Sequence, residues 1–160
     1  MSTLSPTMNS SFVARVTGIL RPAVRVLDFL TPLGDLVIRL WVAQAFWMSG
    51  LTKIQSFDTT IQLFENEYQV PLLPPVVAAY AGTFTELFIP VLLVLGLGGR
   101  FAAAVLFVFN IVAVISYPDL SEAGIMQHQY WGLLLLVTLL HGSGRLSVDH
   151  LIRRRFLGRG

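Results

Sequence analysis

Four apolar runs, separated by short polar connectors, make up most of this chain. The runs cover residues 33–51, 76–97, 101–117 and 122–141, the last with a polar first third. Each is close to the roughly 20 residues that an α-helix needs to cross the hydrocarbon layer of a membrane. Gly96, Gly98 and Gly99 permit only a tight turn, so the second and third runs are predicted to form an antiparallel hairpin.

Amphipathic segments flank these runs. Between Phe12 and Leu30, apolar residues recur at helical spacing with arginines among them, which is typical of a helix on the membrane surface. Pro22 should break this segment in two, because proline lacks an amide donor and clashes with the preceding turn. A short interfacial helix is predicted near residues 57–68, and an amphipathic tail runs from 146 to 156.

The predicted fold class is therefore all-α: a polytopic transmembrane four-helix bundle with amphipathic interfacial segments at both termini. Residues 1–32 are assigned to a disordered and amphipathic N-terminal segment, 33–145 to the transmembrane domain and 146–160 to a basic tail. Hydrophobic residues make up 54% of the chain and charged residues 12%, and the mean hydropathy is +0.70. These values exceed what a soluble domain carries, and the absence of cysteine excludes disulfides and thiolate sites.

The arginines fix the predicted orientation. If the chain has four spans, nearly all arginines fall on one side of the membrane: those before residue 26, Arg100, Arg145 and those of the tail. An excess of arginine marks the cytoplasmic side, so this side and both termini are predicted to be cytoplasmic. Because these bases mark membrane edges and form no single stripe, the sequence pI of about 9.4 does not indicate a nucleic-acid partner. The expected partner is the lipid bilayer.

Ionisable residues inside the spans are the candidate chemistry, since an unpaired charge there costs several kcal/mol. Glu86 falls near the midplane of the second span, and Pro90, four residues later, cannot donate to its carbonyl. His128, in the fourth helix, is the candidate titrating partner of Glu86, and the two are the candidate catalytic residues. The alternative is that Glu86 only ties helices together and that His128 lies at the headgroups.

Four further residues are candidate substrate-binding groups. Gln44 and Asn110 share the depth of Glu86, which predicts one polar layer at the midplane. Arg39 shares a helix face with Lys53, so it either faces the bundle or extends to the inner headgroups. Lys53 is expected to mark the outer edge of its span.

Other site classes fit poorly. His128 and His141 lie on one helix about 20 Å apart and cannot clamp a haem, and no metal site is predicted. The glycine clusters lack the lysine of a phosphate loop and are predicted to be turns. Trp41, Phe46 and Trp47 could stack on a quinone ring, although aromatics in a span usually serve packing.

A combination of short motifs resembles the DoxX family. It consists of Arg39, residues 49–54 with the letters SGLTKI, Glu86 on a helix preceded by prolines, residues 95–100 and the closing residues 142–149, GSGRLSVD. The resemblance implies a four-helix protein of the bacterial inner membrane whose relatives are linked to membrane oxidoreductase assemblies. Residues 64–75 and 115–118 resemble a subgroup found beside biosynthesis genes for metal-binding modified peptides.

Two hypotheses of function follow. In the first, the chain is a subunit of a membrane-associated oxidoreductase system that has no intrinsic cofactor and binds a quinone through Glu86, Gln44 and Asn110. In the second, it is a non-catalytic scaffold or accessory protein for a biosynthetic or stress-response complex. Cytoplasmic or membrane oxidoreductases and a second copy of the chain are the candidate protein partners. A proton or small-molecule pathway through Glu86 and His128 ranks third, because no repeated halves are evident.

Overall fold

The computed structural model describes residues 10–156 and 158, with side chains from residue 18 onward apart from residue 19. Within these residues the chain forms six helices and no strand. They are α1 (Ser10–Gln55), α2 (Phe57–Asn66), α3 (Pro75–Leu95), α4 (Gly99–Ser116), α5 (Glu122–His141) and α6 (Val148–Phe156). The disorder predicted for the first eleven residues lies outside the described part, except at Ser10 and Ser11, which begin α1.

Helix α1 is a single helix of 46 residues, with Pro22 and Pro32 inside it. The predicted break at Pro22 and the predicted helix start after Thr31 are therefore wrong. A proline removes one hydrogen bond, and the bonds of the turns on either side keep the helix continuous. The Thr31 hydroxyl donates back to the Leu27 carbonyl at 2.9 Å, so Thr31 acts within the helix and does not cap its start.

The four long helices, α1, α3, α4 and α5, surround one apolar core. Going round the bundle, α1 packs antiparallel to α3, α3 packs on α4, α4 packs on α5, and α5 packs on α1. Helix α2 lies on the first turns of α3. Alanines at positions 102 and 103 are fully buried and let the helices approach closely. The core consists of Val42, Ala43, Phe46, Ile89, Leu93, Ala102, Ala103, Leu106 and Leu135.

The predicted hairpin between α3 and α4 is confirmed. Gly96 and Gly98 have φ of 64° and 57°, the left-handed region in which glycine is unstrained. The Asp149 carboxylate accepts from the amides of Gly98 at 2.9 Å and Gly99 at 3.0 Å. This carboxylate caps the start of α4 and fixes the C-terminal tail against the hairpin turn.

The predicted Ser121 cap and the two predicted short helices are also found. The Ser121 hydroxyl accepts from the Gly124 amide at 3.2 Å and caps α5. Helices α2 and α6 occupy the segments predicted to be interfacial.

The chain is an all-α membrane protein. Among the described helices, α3 and α4 are both long and apolar enough to cross a membrane. Helix α1 carries Asp35, Arg39 and Lys53 within its packed half, and the first half of α5 is polar. Their spanning role stays a prediction.

Candidate functional site

Glu86 forms a buried ion pair with Lys53 between α3 and α1. The Lys53 ammonium lies 2.7 Å from Oε2 and 2.9 Å from Oε1 of Glu86. The Ser49 hydroxyl lies 3.1 Å from Oε1 and accepts from Lys53 at 2.8 Å, which closes a three-membered network. The two charged side chains are 16% and 7% exposed.

Local sequence explains why these groups meet. Ser49 and Lys53 are four residues apart and so lie on one face of α1, the face that contacts α3. Between them, a Cβ at Gly50 would come within 2.8 Å of the Leu87 side chain and 3.1 Å of Glu86 Cβ. Glycine therefore permits the close approach of the two helices that brings Lys53 to the carboxylate.

The predicted pairing of Glu86 with His128 is wrong. His128 Nδ1 lies 2.7 Å from the Asn110 side-chain oxygen, and the Asn110 amide donates to the His128 carbonyl at 2.9 Å. This reciprocal pair joins α4 to α5, while Glu86 joins α3 to α1. Counting residues from the helix ends shows that Glu86 and His128 lie at similar depth, but it does not show in which direction each side chain points. The side chains point to different neighbouring helices, so the two residues have different partners.

Arg39 faces the bundle, as one of its two predicted interpretations required. It is 1% exposed. Its guanidinium donates to the carbonyls of Leu93 at 3.3 Å and Val94 at 2.9 Å, and also to those of Asp35 and Leu146. The last carbonyls of a helix have no partner within it. Arg39 therefore closes the C-terminal end of α3 and ties it to α1 and the tail.

Gln44 lies apart from Glu86 and Asn110, so the predicted single polar layer is wrong. Its side chain is exposed on the outer surface of α1, where a groove runs between α1 and α5. The groove is mainly apolar, with amides and indoles from both helices. Its walls are Trp41, Gln44, Ala45, Met48, Gln127, Tyr130, Trp131, Leu133 and Leu134.

Trp131 is the best-anchored side chain of this groove. Its ring packs against Phe46, a core residue, with centroids 6.0 Å apart, and against His128 at 4.9 Å. His128 is held in turn by Asn110. The groove therefore has a rigid aromatic wall connected to the polar pair of α4 and α5.

An aromatic cluster forms around the connector between α2 and α3. The Tyr68 ring packs on Phe64 at 4.8 Å and on Tyr117 at 5.2 Å. Burial raises the pKa of the Tyr68 hydroxyl, and Tyr117, Glu86 and Glu67 add to the increase. This tyrosine therefore stays protonated at neutral pH.

Three residues of these sites are not among the predicted candidates. Ser49 belongs to the ion-pair network, and its spacing of four from Lys53 was the available signal. Gln127 and Tyr130 join Gln44 in the groove, which required knowing that α5 lies beside α1. Within the described residues, no group of three or more histidine or acidic side chains is placed to hold a metal ion.

Comparison with known proteins supplies a family. The sequence model of the family described as DoxX matches residues 34–118, which include the C-terminal part of α1 and all of α2, α3 and α4. An uncharacterized protein of Haemophilus influenzae is 28% identical over 126 residues, which cover 74% of this chain and 83% of that protein. No solved structure matches the chain.

Proposed function

Because this chain belongs to the DoxX family, we propose that it is a multi-pass subunit of an oxidoreductase system in the bacterial inner membrane. Its role there is to hold a quinone ring, while a partner protein supplies the redox centre. The chain has no cysteine and so cannot run a dithiol relay of its own. Both termini are assigned to the cytoplasm by the distribution of arginines.

The observation that carries this proposal is the groove between α1 and α5. It opens on the outer surface of the bundle, where a bilayer-dissolved molecule can enter from the side. Trp41 and Trp131 offer flat faces, and Gln44 and Gln127 offer amide donors. A planar ring with two carbonyl acceptors matches this set of groups.

The groove replaces the site first expected for the quinone. The sequence predicts that Gln44 shares the ring with Glu86 and Asn110, but Asn110 is held by His128 and Glu86 by Lys53. When bound, a quinone would supply two-electron redox chemistry to the system. The chain's own residues would orient the ring, and the Lys53–Glu86 pair would hold α1 against α3.

Tryptophan fluorescence tests this proposal directly, since the chain has three tryptophans. In bilayer nanodiscs, a Trp47→Phe variant reports only Trp41 and Trp131, both in the groove. We expect decylubiquinone to quench this fluorescence saturably. The double variant Trp41→Phe/Trp131→Phe leaves Trp47, which also faces outward but does not line this groove, and should show only linear collisional quenching.

Glutamine substitutions supply the specificity test. Loss of one neutral hydrogen bond of about 1 kcal/mol weakens binding about fivefold, so Gln44→Leu and Gln127→Leu should each raise the apparent Kd by that factor. Gln129→Leu, on the same helix but outside the groove, is the matched control. Linear quenching of equal slope in both tryptophan backgrounds would reject the quinone role and leave the scaffold function.

A further inference from the structure

The N-terminal half of α1 extends beyond the rest of the chain. Every side chain from residue 20 to residue 31 is exposed, and burial against the bundle begins near Asp35. At 1.5 Å per residue, the helix is about 69 Å long, more than twice the roughly 30 Å of a hydrocarbon layer. Its first half therefore projects on the side of the arginines. Several large apolar side chains there are exposed, including Phe29 at 81% and Val26 at 57%.

One stripe of apolar residues along α1 has heptad spacing, although other apolar residues, such as Val24, Leu27 and Phe29, lie beside it. Steps of four and three alternate without a break along one stripe: Phe12, Val16, Ile19, Ala23, Val26, Leu30, Leu33, Val37 and Leu40. This mean spacing of 3.5 is that of helices that wrap around each other. A surface facing lipid needs apolar residues but no such period. The stripe covers four heptads, which is long enough for a coiled coil.

Charged residues avoid this stripe. In the heptad that places Val26 at d and Leu30 at a, Arg15 falls at position g, and the charges from residue 18 to residue 44 all occupy positions c and f. They are Arg21, Arg25, Asp28, Asp35 and Arg39. Positions c and f lie on the far side from a heptad seam. Arg39 points into the bundle, so the stripe faces the opposite way and is free of charge.

We propose that this stripe pairs in parallel with the same stripe of a second copy of the chain. Two copies inserted with one topology hold their α1 helices parallel and at equal depth, so each stripe residue meets its own counterpart about a two-fold axis along the membrane normal. The membrane surface is a poorer occupant, because α1 continues unbroken out of the bundle and does not turn to lie flat. This inference does not depend on the quinone groove.

Cysteine crosslinking tests the pairing, since the natural chain has no cysteine. Single substitutions Val26→Cys and Leu30→Cys place thiols on the seam, whereas Arg25→Cys and Asp28→Cys place them on the far side of the same two turns. In bilayer nanodiscs oxidised with copper phenanthroline, the seam variants should shift largely to a disulfide-linked dimer and the matched controls should stay monomeric. A disulfide requires Cα atoms within about 7 Å, which a parallel seam provides.

A second measurement avoids any effect of the thiols. The unmodified chain in nanodiscs should show twice the mass of one copy by mass photometry, and Leu30→Glu should return it to one copy. Equal crosslinking at all four positions, or one copy per disc for the unmodified chain, would overturn the proposal. Protection of Leu30→Cys from water-soluble maleimide in a single-copy disc would assign the stripe to the lipid surface instead.

Discussion

The Lys53–Glu86 pair allows a quantitative test of how α1 is held to α3. Removing one member of a buried ion pair leaves the other charge uncompensated, which destabilises proteins by about 3–5 kcal/mol. Lys53 is 16% exposed and Glu86 is 7% exposed, and Ser49 is the remaining partner of either. We therefore expect Glu86→Leu and Lys53→Met each to lower the free energy of unfolding by about 3 kcal/mol, the lower end of that range.

The double variant discriminates between mechanisms. Because Glu86→Leu/Lys53→Met removes both charges and fills the space with apolar groups, it should lie within about 1 kcal/mol of the natural protein. Glu86→Gln keeps hydrogen bonds to Lys53 and Ser49, so its loss should be smaller than that of Glu86→Leu. The assay is reversible unfolding in mixed micelles of rising SDS content, followed by circular dichroism.

Thr52 offers a matched control. It lies beside Lys53 on the exposed face of α1, and its hydroxyl contacts only the Met48 carbonyl. Thr52→Ala should change stability by no more than about 0.5 kcal/mol. Additive effects of the two charge removals, or a Glu86→Leu variant as stable as the natural protein, would refute the role of the pair as a helix fastener.

Three further predictions concern other parts of the chain. A Cβ at Gly99 would collide with the Ser143 hydroxyl, so Gly99→Ala should lower the free energy of unfolding by about 1–3 kcal/mol. A Cβ at Gly34 would meet no other atom, so Gly34→Ala should be neutral or stabilising in the same SDS assay. Burial raises the pKa of Tyr68 above its ordinary value of about 10. The free energy of unfolding should therefore fall as pH rises from about 10 through the pKa of Tyr68 in the folded protein. In an ultraviolet titration, the Tyr68→Phe variant should lack the tyrosine ionisation that occurs at the highest pH. Reporter fusions at the C-terminus should indicate the cytoplasm and fusions within residues 57–66 the periplasm, and a periplasmic C-terminus would reject the four-span topology.

Much of the fold follows from local sequence. Apolar run length gives the long helices, positive-φ glycines give the α3–α4 turn, and Ser121 gives the start of α5, because each depends on residues near in sequence. The break predicted at Pro22 does not occur, because a proline's local penalty is smaller than the cooperative stability of a long helix. The extent of α1 therefore required the structure.

The site was less predictable than the fold. Residue counting placed Glu86, Asn110 and Gln44 at similar depths, and depth alone suggested one layer. In the structure, the Glu86 side chain contacts α1, the Asn110 side chain contacts α5, and Gln44 lines the outer groove. Which side of a helix meets which neighbour depends on the order of helices around the bundle, and a single sequence with short turns does not determine that order.

The central claim is that the groove between α1 and α5 holds a quinone ring. Photolabelling with an azidoquinone in native membranes, followed by peptide mass spectrometry, tests it most directly. The account predicts label concentrated on residues 41–48 and 127–134, reduced by excess unlabelled quinone and by Gln44→Leu. Label spread over the lipid-facing surface, for example equally on the exposed ring of Phe84 on α3, or label insensitive to competitor, would contradict it.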